Sequence, residues 1–138
     1  MSAETEGAGT GPQASDLGPE ASNPGPTASG TVRDERRDLA EVTAVELITT
    51  VSVHLLSAAA LRCGLAEEGE EFADLDEARK IINALAGLVT ASAPDLGDTH
   101  ARALRDGLRT VQLAFREASV IPDAPGEGPG EKYTGPVS

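Results

Sequence analysis

Between residues 39 and 121, apolar positions recur in steps of three and four, the spacing of one face of an α-helix. No stretch alternates with period two for long enough to predict a strand. Three helices follow from this pattern. The first starts at Thr43, where Thr43-Ala-Val-Glu46 fits a capping box, and ends near Cys63 with Gly64 as its stop. Leu47, Ile48, Val51, Leu55, Ala58 and Leu61 give it a broad apolar face, while Glu46, Thr50, Val53, Ser57 and Ala60 make a second, mostly small face. A helix apolar nearly all round is expected to be covered on more than one side. An acidic loop, residues 65–73, leads to a second cap, with Asp74 followed by Glu77 three residues on. The second helix carries a single stripe of Leu75, Ala78, Ile81, Ile82, Leu85, Leu88 and Val89, and Pro94 limits it. The third begins at Asp98 or Thr99 and shows a narrow seam of Ala101, Leu104, Leu108, Val111, Phe115 and Ala118. Gly107 weakens it by about 1 kcal/mol relative to Ala, and Pro122 lies beyond its end.

The flanks read differently. Residues 1–38 are Pro/Gly-rich and acidic, closing on the mixed-charge run Val32 to Asp38, and residues 122–138 are again rich in Pro and Gly. Neither holds enough apolar surface to offset the entropy of ordering it, so both are expected to be disordered tails. The fold class predicted is all-α, a small three-helix antiparallel bundle over residues 39–121 between those tails. Its core is aliphatic, with Phe72 and Phe115 as its only large rings. A core that thin favours self-association. A homo-oligomer, most simply a dimer, is expected, with Leu47, Val51, Leu55, Leu104, Leu108, Val111 and Phe115 as its interface.

The net charge of −12 is spread along the chain and repels phosphate backbones and anionic lipid, which argues against DNA or a membrane as partner. The uncharged stretch Leu47 to Leu61 is shorter than the roughly twenty residues a membrane span needs. An acidic N-terminus without an apolar run predicts no secretory signal, and the single cysteine fits the cytoplasm.

Candidate chemistry is sparse. His54, Cys63 and His100 are the only soft metal ligands. His54 and Cys63 point about 180° apart on one helix at about 100° per residue, so they cannot share an ion. Cys63 ends a helix, where the dipole disfavours thiolate, and reads as apolar filler. The acidic loop lacks the spacing of a calcium site. No nucleotide-binding, hydrolase or metalloprotease motif is present. The expectation is therefore no enzyme, no cofactor and no metal. Arg102, Arg105, Arg109 and Arg116 flank the third helix's seam and are the candidate contacts for a partner protein, against the plainer reading of a solvated flank.

The block Asp74 to Leu88 (DLDEARKIINALAGL), followed by Leu104 to Ser119 (LRDGLRTVQLAFREAS), resembles the bacterial domain of unknown function 1844 family over residues 43–119. Leu75-Asp-Glu-Ala78-Arg79 with Ile82 and Leu85, and then Leu108-Arg109 with Phe115, carry the likeness. The resemblance implies small helical proteins without an assigned activity. Gene neighbourhoods in that family, near translation initiation factor three and ribosomal proteins, imply a role linked to translation. The reading is thus a non-enzymatic cytoplasmic interaction module that binds itself and a ribosome-associated protein. The alternatives are a purely structural homo-oligomer, or a metal-binding protein or enzyme.

Overall fold

The computed structural model describes residues 25–67 and 69–138, with side chains from residue 32 onward. The expected disorder of residues 1–24 lies outside them. All regular structure among the described residues is helical: α1 (Gly25–Glu41), α2 (Ala44–Arg62), a single 3₁₀ turn (Gly69–Phe72), α3 (Leu75–Leu96), α4 (Asp98–Ala118) and the one-turn α5 (Glu131–Thr134). The chain divides into two units, residues 1–43 and 44–138.

In the first unit, α1 runs through the Val32 to Asp38 segment that composition assigned to a disordered tail. Its Arg, Glu, Leu and Ala residues are good helix formers, and Arg37 pairs with Asp34 one turn back at 3.6 Å. Its residues from Val32 on are exposed.

In the second unit, each helix starts and stops on local chemistry. α2 ends in a Schellman motif: Gly64 takes φ +86°, Leu65 N–H donates to Ala60 O at 3.0 Å and Gly64 N–H donates to Leu61 O at 3.1 Å. Asp74 is extended, and its carboxylate accepts the Glu77 N–H at 3.2 Å, which fixes the start of α3. Pro94 does not end α3. It sits inside the last turn, and the helix continues to the buried Leu96 before Gly97, at φ +85°, turns the chain into α4.

α2, α3 and α4 pack on one another pairwise. Ile82, Leu85, Ala86 and Val89 of α3 meet Leu104, Leu108, Val111 and Phe115 of α4; α2 adds Ala59, and Cys63 just past its end joins them. Gly107 has a packing reason: a Cβ there would lie 2.8 Å from Leu56 Cδ1 of α2, so the glycine lets the two helices approach closely. Phe72, expected in the core, is largely exposed on the 3₁₀ turn.

The largest departure from expectation is at the C-terminal end. Residues 119–138 follow a defined path back over α3 and α4, with Pro129, Gly130, Glu131 and Val137 buried. Composition predicted disorder because it counts apolar burial. This segment is held instead by hydrogen bonds to its backbone.

Candidate functional site

Within the second unit, α2 carries an apolar side that α3 and α4 leave uncovered. It is the one described helix long and apolar enough to cross a membrane by length and composition, yet only Ser52 and Ala59 of its nineteen residues are fully buried. Its inward side, with Ile48, Leu55 and Leu56 around those two, packs on the core. Turned away from it are Leu47, Val51, His54, Ala58 and Leu61, spaced four, three, four and three residues apart. That spacing is a coiled-coil seam. Leu47 is 40% and Val51 42% exposed, and Val53, on the other flank of the helix, is exposed as well. His54 stands at the midpoint of the seam and is exposed, while Ala58 and Leu61 are half-buried. Buried beneath the helix, Ser52 Oγ has no hydrogen-bond partner among the described residues.

The seam predicted on α4 lies elsewhere. Leu104, Leu108, Val111 and Phe115 are all buried within their own chain, which corrects their assignment to an interface between copies. A helical stripe says that a face is covered, without saying by whom. Of the seven interface residues expected, Leu47 and Val51 remain at the surface and Leu55 is half-buried.

The four arginines of α4 share a face but not a role. Arg102 and Arg105 are exposed. Arg109 donates to Ser138 O at 2.9 Å, and the half-buried Arg116 donates to Asp123 O at 3.3 Å. Two of the four thus hold the chain's own C-terminal segment. Arg79 of α3 joins them: one guanidinium nitrogen lies 3.0 and 3.2 Å from the two Asp123 oxygens, with the group 4.9 Å from the centre of the Phe115 ring.

Beyond Asp123, two amide side chains seat the segment. Asn83 Oδ1 accepts the Gly130 N–H at 2.7 Å, and Gln112 Nε2 donates to Pro129 O and Thr134 Oγ1, both at 3.1 Å. Gly130 takes φ +76°, and a Cβ there would meet Ala86 Cβ at 2.9 Å. The Tyr133 ring lies over Gly87, where a Cβ would come within 3.2 Å of Oη. Glu131 binds its own segment, accepting Gly128 N–H and Val137 N–H at 2.9 Å each. Sequence reasoning missed this arrangement. Its one visible signal was Gln112, a polar residue at the Leu104, Leu108, Phe115 spacing of the buried stripe, and only 3% exposed.

Two open grooves flank the seated segment. One of about 370 Å³ is lined by Val89, Thr90, Arg105, Arg109, Tyr133 and Val137. The other, about 630 Å³, lies between Arg79 and Asn83 on one side and Glu127 and Lys132 on the other. Neither converges on a nucleophile and a base. Cys63 is buried with its thiol 3.9 Å from Val111 O, and burial pushes the thiol's pKa above its ordinary value. Among the described residues no group of three or more His, Cys, Asp or Glu side chains could hold a metal ion.

No curated protein and no solved structure matches the chain. A family model described as "Domain of unknown function (DUF1844)" matches residues 44–117, which span α2, α3 and nearly all of α4 and stop short of the seated C-terminal segment. The chain belongs to the DUF1844 family.

Proposed function

We propose that this chain is a non-enzymatic interaction module: a three-helix antiparallel bundle of α2, α3 and α4 that pairs with a second copy through the outer seam of α2. One observation carries the reading. The most apolar of the three packed helices buries two residues, far fewer than α3 or α4, and its uncovered side repeats with the period of a helix–helix contact. Exposed apolar surface of that kind marks an interaction site in a folded domain. In a symmetric pair the same face serves both copies, so one seam suffices.

α2 also invites a second reading, insertion into a bilayer, because its length and composition permit it. Packing of α2 on both α3 and α4 favours a protein partner. So do His54, Thr50 and Ser57, polar groups on the uncovered side.

The module is proposed to work in the cytoplasm, with the exposed Arg102 and Arg105 as contacts for a further, ribosome-associated protein. That link to translation rests on the family's gene neighbourhoods alone.

A disulfide trap tests the pairing. Val51→Cys in the full chain should give a covalent dimer under mild oxidation, whereas Arg102→Cys, exposed on α4, should not. Equal yields from both positions, or none from position 51, would refute pairing through α2.

A further inference from the structure

The C-terminal segment is built as a separable part. Glu131 ties Gly128 N–H and Val137 N–H to one carboxylate, so residues 128–137 form a small closed loop around α5 that can dock as a body. Pre-organisation of this kind lowers the ordering cost of docking wherever the receiving groove lies. The receiving groups, Asn83, Ala86 and Gln112, belong to α3 and α4, and Arg79 and Arg116 grip the segment's near end at Asp123. Between groove and docking body runs a connection that contributes almost nothing to the seat. Ser119 closes α4, with its N–H donating to Phe115 O and its hydroxyl doing the same. Then Val120 and Ile121 stand 96% and 85% exposed, the two most exposed large apolar side chains among the described residues, ahead of Pro122.

Two adjacent aliphatic residues with no packing partner are unfavourable in a chain closed on itself. They gain a partner if the connection opens. When two copies trade their C-terminal bodies, every hydrogen bond to Asn83 and Gln112 is remade in the other copy's groove. The two connections then run side by side about a two-fold axis, where Val120 and Ile121 of one copy can cover those of the other. Exchange of an identical element is a low-cost route to a dimer because it creates few new contacts and loses none. A hinge stiffened by proline helps it to stay open.

We propose that residues 123–137 are a docking element that exchanges between two copies of this chain, seating in the α3–α4 groove of the second copy with residues 119–122 as the hinge. This surface is distinct from the α2 seam, and the exchange does not depend on pairing through it.

The test is complementation between two full-length variants, read by hydrogen exchange on the C-terminal peptide. Asn83→Ala combined with Gln112→Ala gives a chain with a sound docking element and a damaged groove. Gly130→Val gives a chain with a sound groove and an element that cannot seat. Alone, the groove-damaged chain should exchange its C-terminal amides freely. Mixed with an excess of the Gly130→Val chain, the same amides should slow by about tenfold or more. If they are free alone and stay free in the mixture, the exchange does not occur. If they are already protected alone, the groove contacts do not seat the element and the proposal fails as well. Should the Gln112→Ala chain lose its helical circular dichroism, Asn83→Ala alone, at an exposed position, serves as the groove variant and is judged by the same outcomes. Adding Val120→Asp and Ile121→Asp to the groove-damaged chain should abolish the gain. Its survival would remove the hinge residues from the account.

Discussion

α2 and α4 are nearly equal in length and opposite in design. α4 carries eight charged residues or histidine around one narrow apolar stripe, and that stripe is buried from Ala101 to Phe115. α2 has charges only at Glu46 and Arg62, is apolar on most sides, and buries two residues completely. Total hydrophobicity therefore does not decide which helix is interior. Segregation does. A helix with one apolar stripe has one place to put it, and the fold uses it. A helix apolar all round satisfies the core with one side and still presents another. That surplus is the source of the proposed association.

The sharpest way to break this contrast is to damage each stripe in turn. Leu108→Ala, in the buried stripe of α4, should destabilise the chain by about 2–5 kcal/mol, seen as a lower denaturant midpoint. Leu108→Glu should abolish helical circular dichroism altogether. A stable, helical Leu108→Glu chain would mean that the α4 stripe is not the core. Gly130→Ala comes next: a non-glycine residue at φ +76° with its Cβ 2.9 Å from Ala86 should cost about 1–3 kcal/mol and free the C-terminal amides to exchange, leaving α2 to α4 helical. Ser52→Ala should raise stability by about 1 kcal/mol, since it removes a buried hydroxyl without a partner among the described residues. A loss of stability there would show that the hydroxyl is satisfied.

The smallest effect on stability, and a sharp one on chemistry, concerns Cys63. Burial raises its pKa, so less thiolate is present at a given pH than for a free cysteine, and the thiol is also shielded. Alkylation of the native chain near neutral pH should be slow and should speed up on unfolding. Because the folded pKa lies above the unfolded one, the folded state binds the proton more tightly. Stability from this group is present below the unfolded pKa and declines as pH rises through the raised one. Rapid alkylation of the native chain would place Cys63 at the surface.

Much of this architecture was legible in the residues. The cap at Asp74, the stop at Gly64 and the stripe positions of α3 and α4 are local or periodic features, and sequence records both. Pro94 misled by two residues because burial of Leu96 holds the final turn of α3 together. The stripe of α4 was read correctly as covered but given to another copy, since periodicity does not distinguish an internal contact from an external one. The C-terminal segment was hidden for a different reason. It is fixed by Asn83, Gln112 and Glu131 acting on backbone groups, and hydrophobic patterning does not register such contacts. α1 escaped because its glycine- and proline-bearing start masks a run of helix formers from Val32 to Glu41.

Sedimentation equilibrium of the full chain, beside its Val51→Glu variant, addresses the contrast between α2 and α4 most directly. Pairing through α2 should give a concentration-dependent rise from 14.1 kDa to twice that mass for the wild-type chain, and a Val51→Glu variant of unchanged helicity that forms a smaller fraction of dimer at every concentration. A wild-type chain that stays at 14.1 kDa throughout, or a Val51→Glu variant that associates as strongly as the wild type, would contradict it.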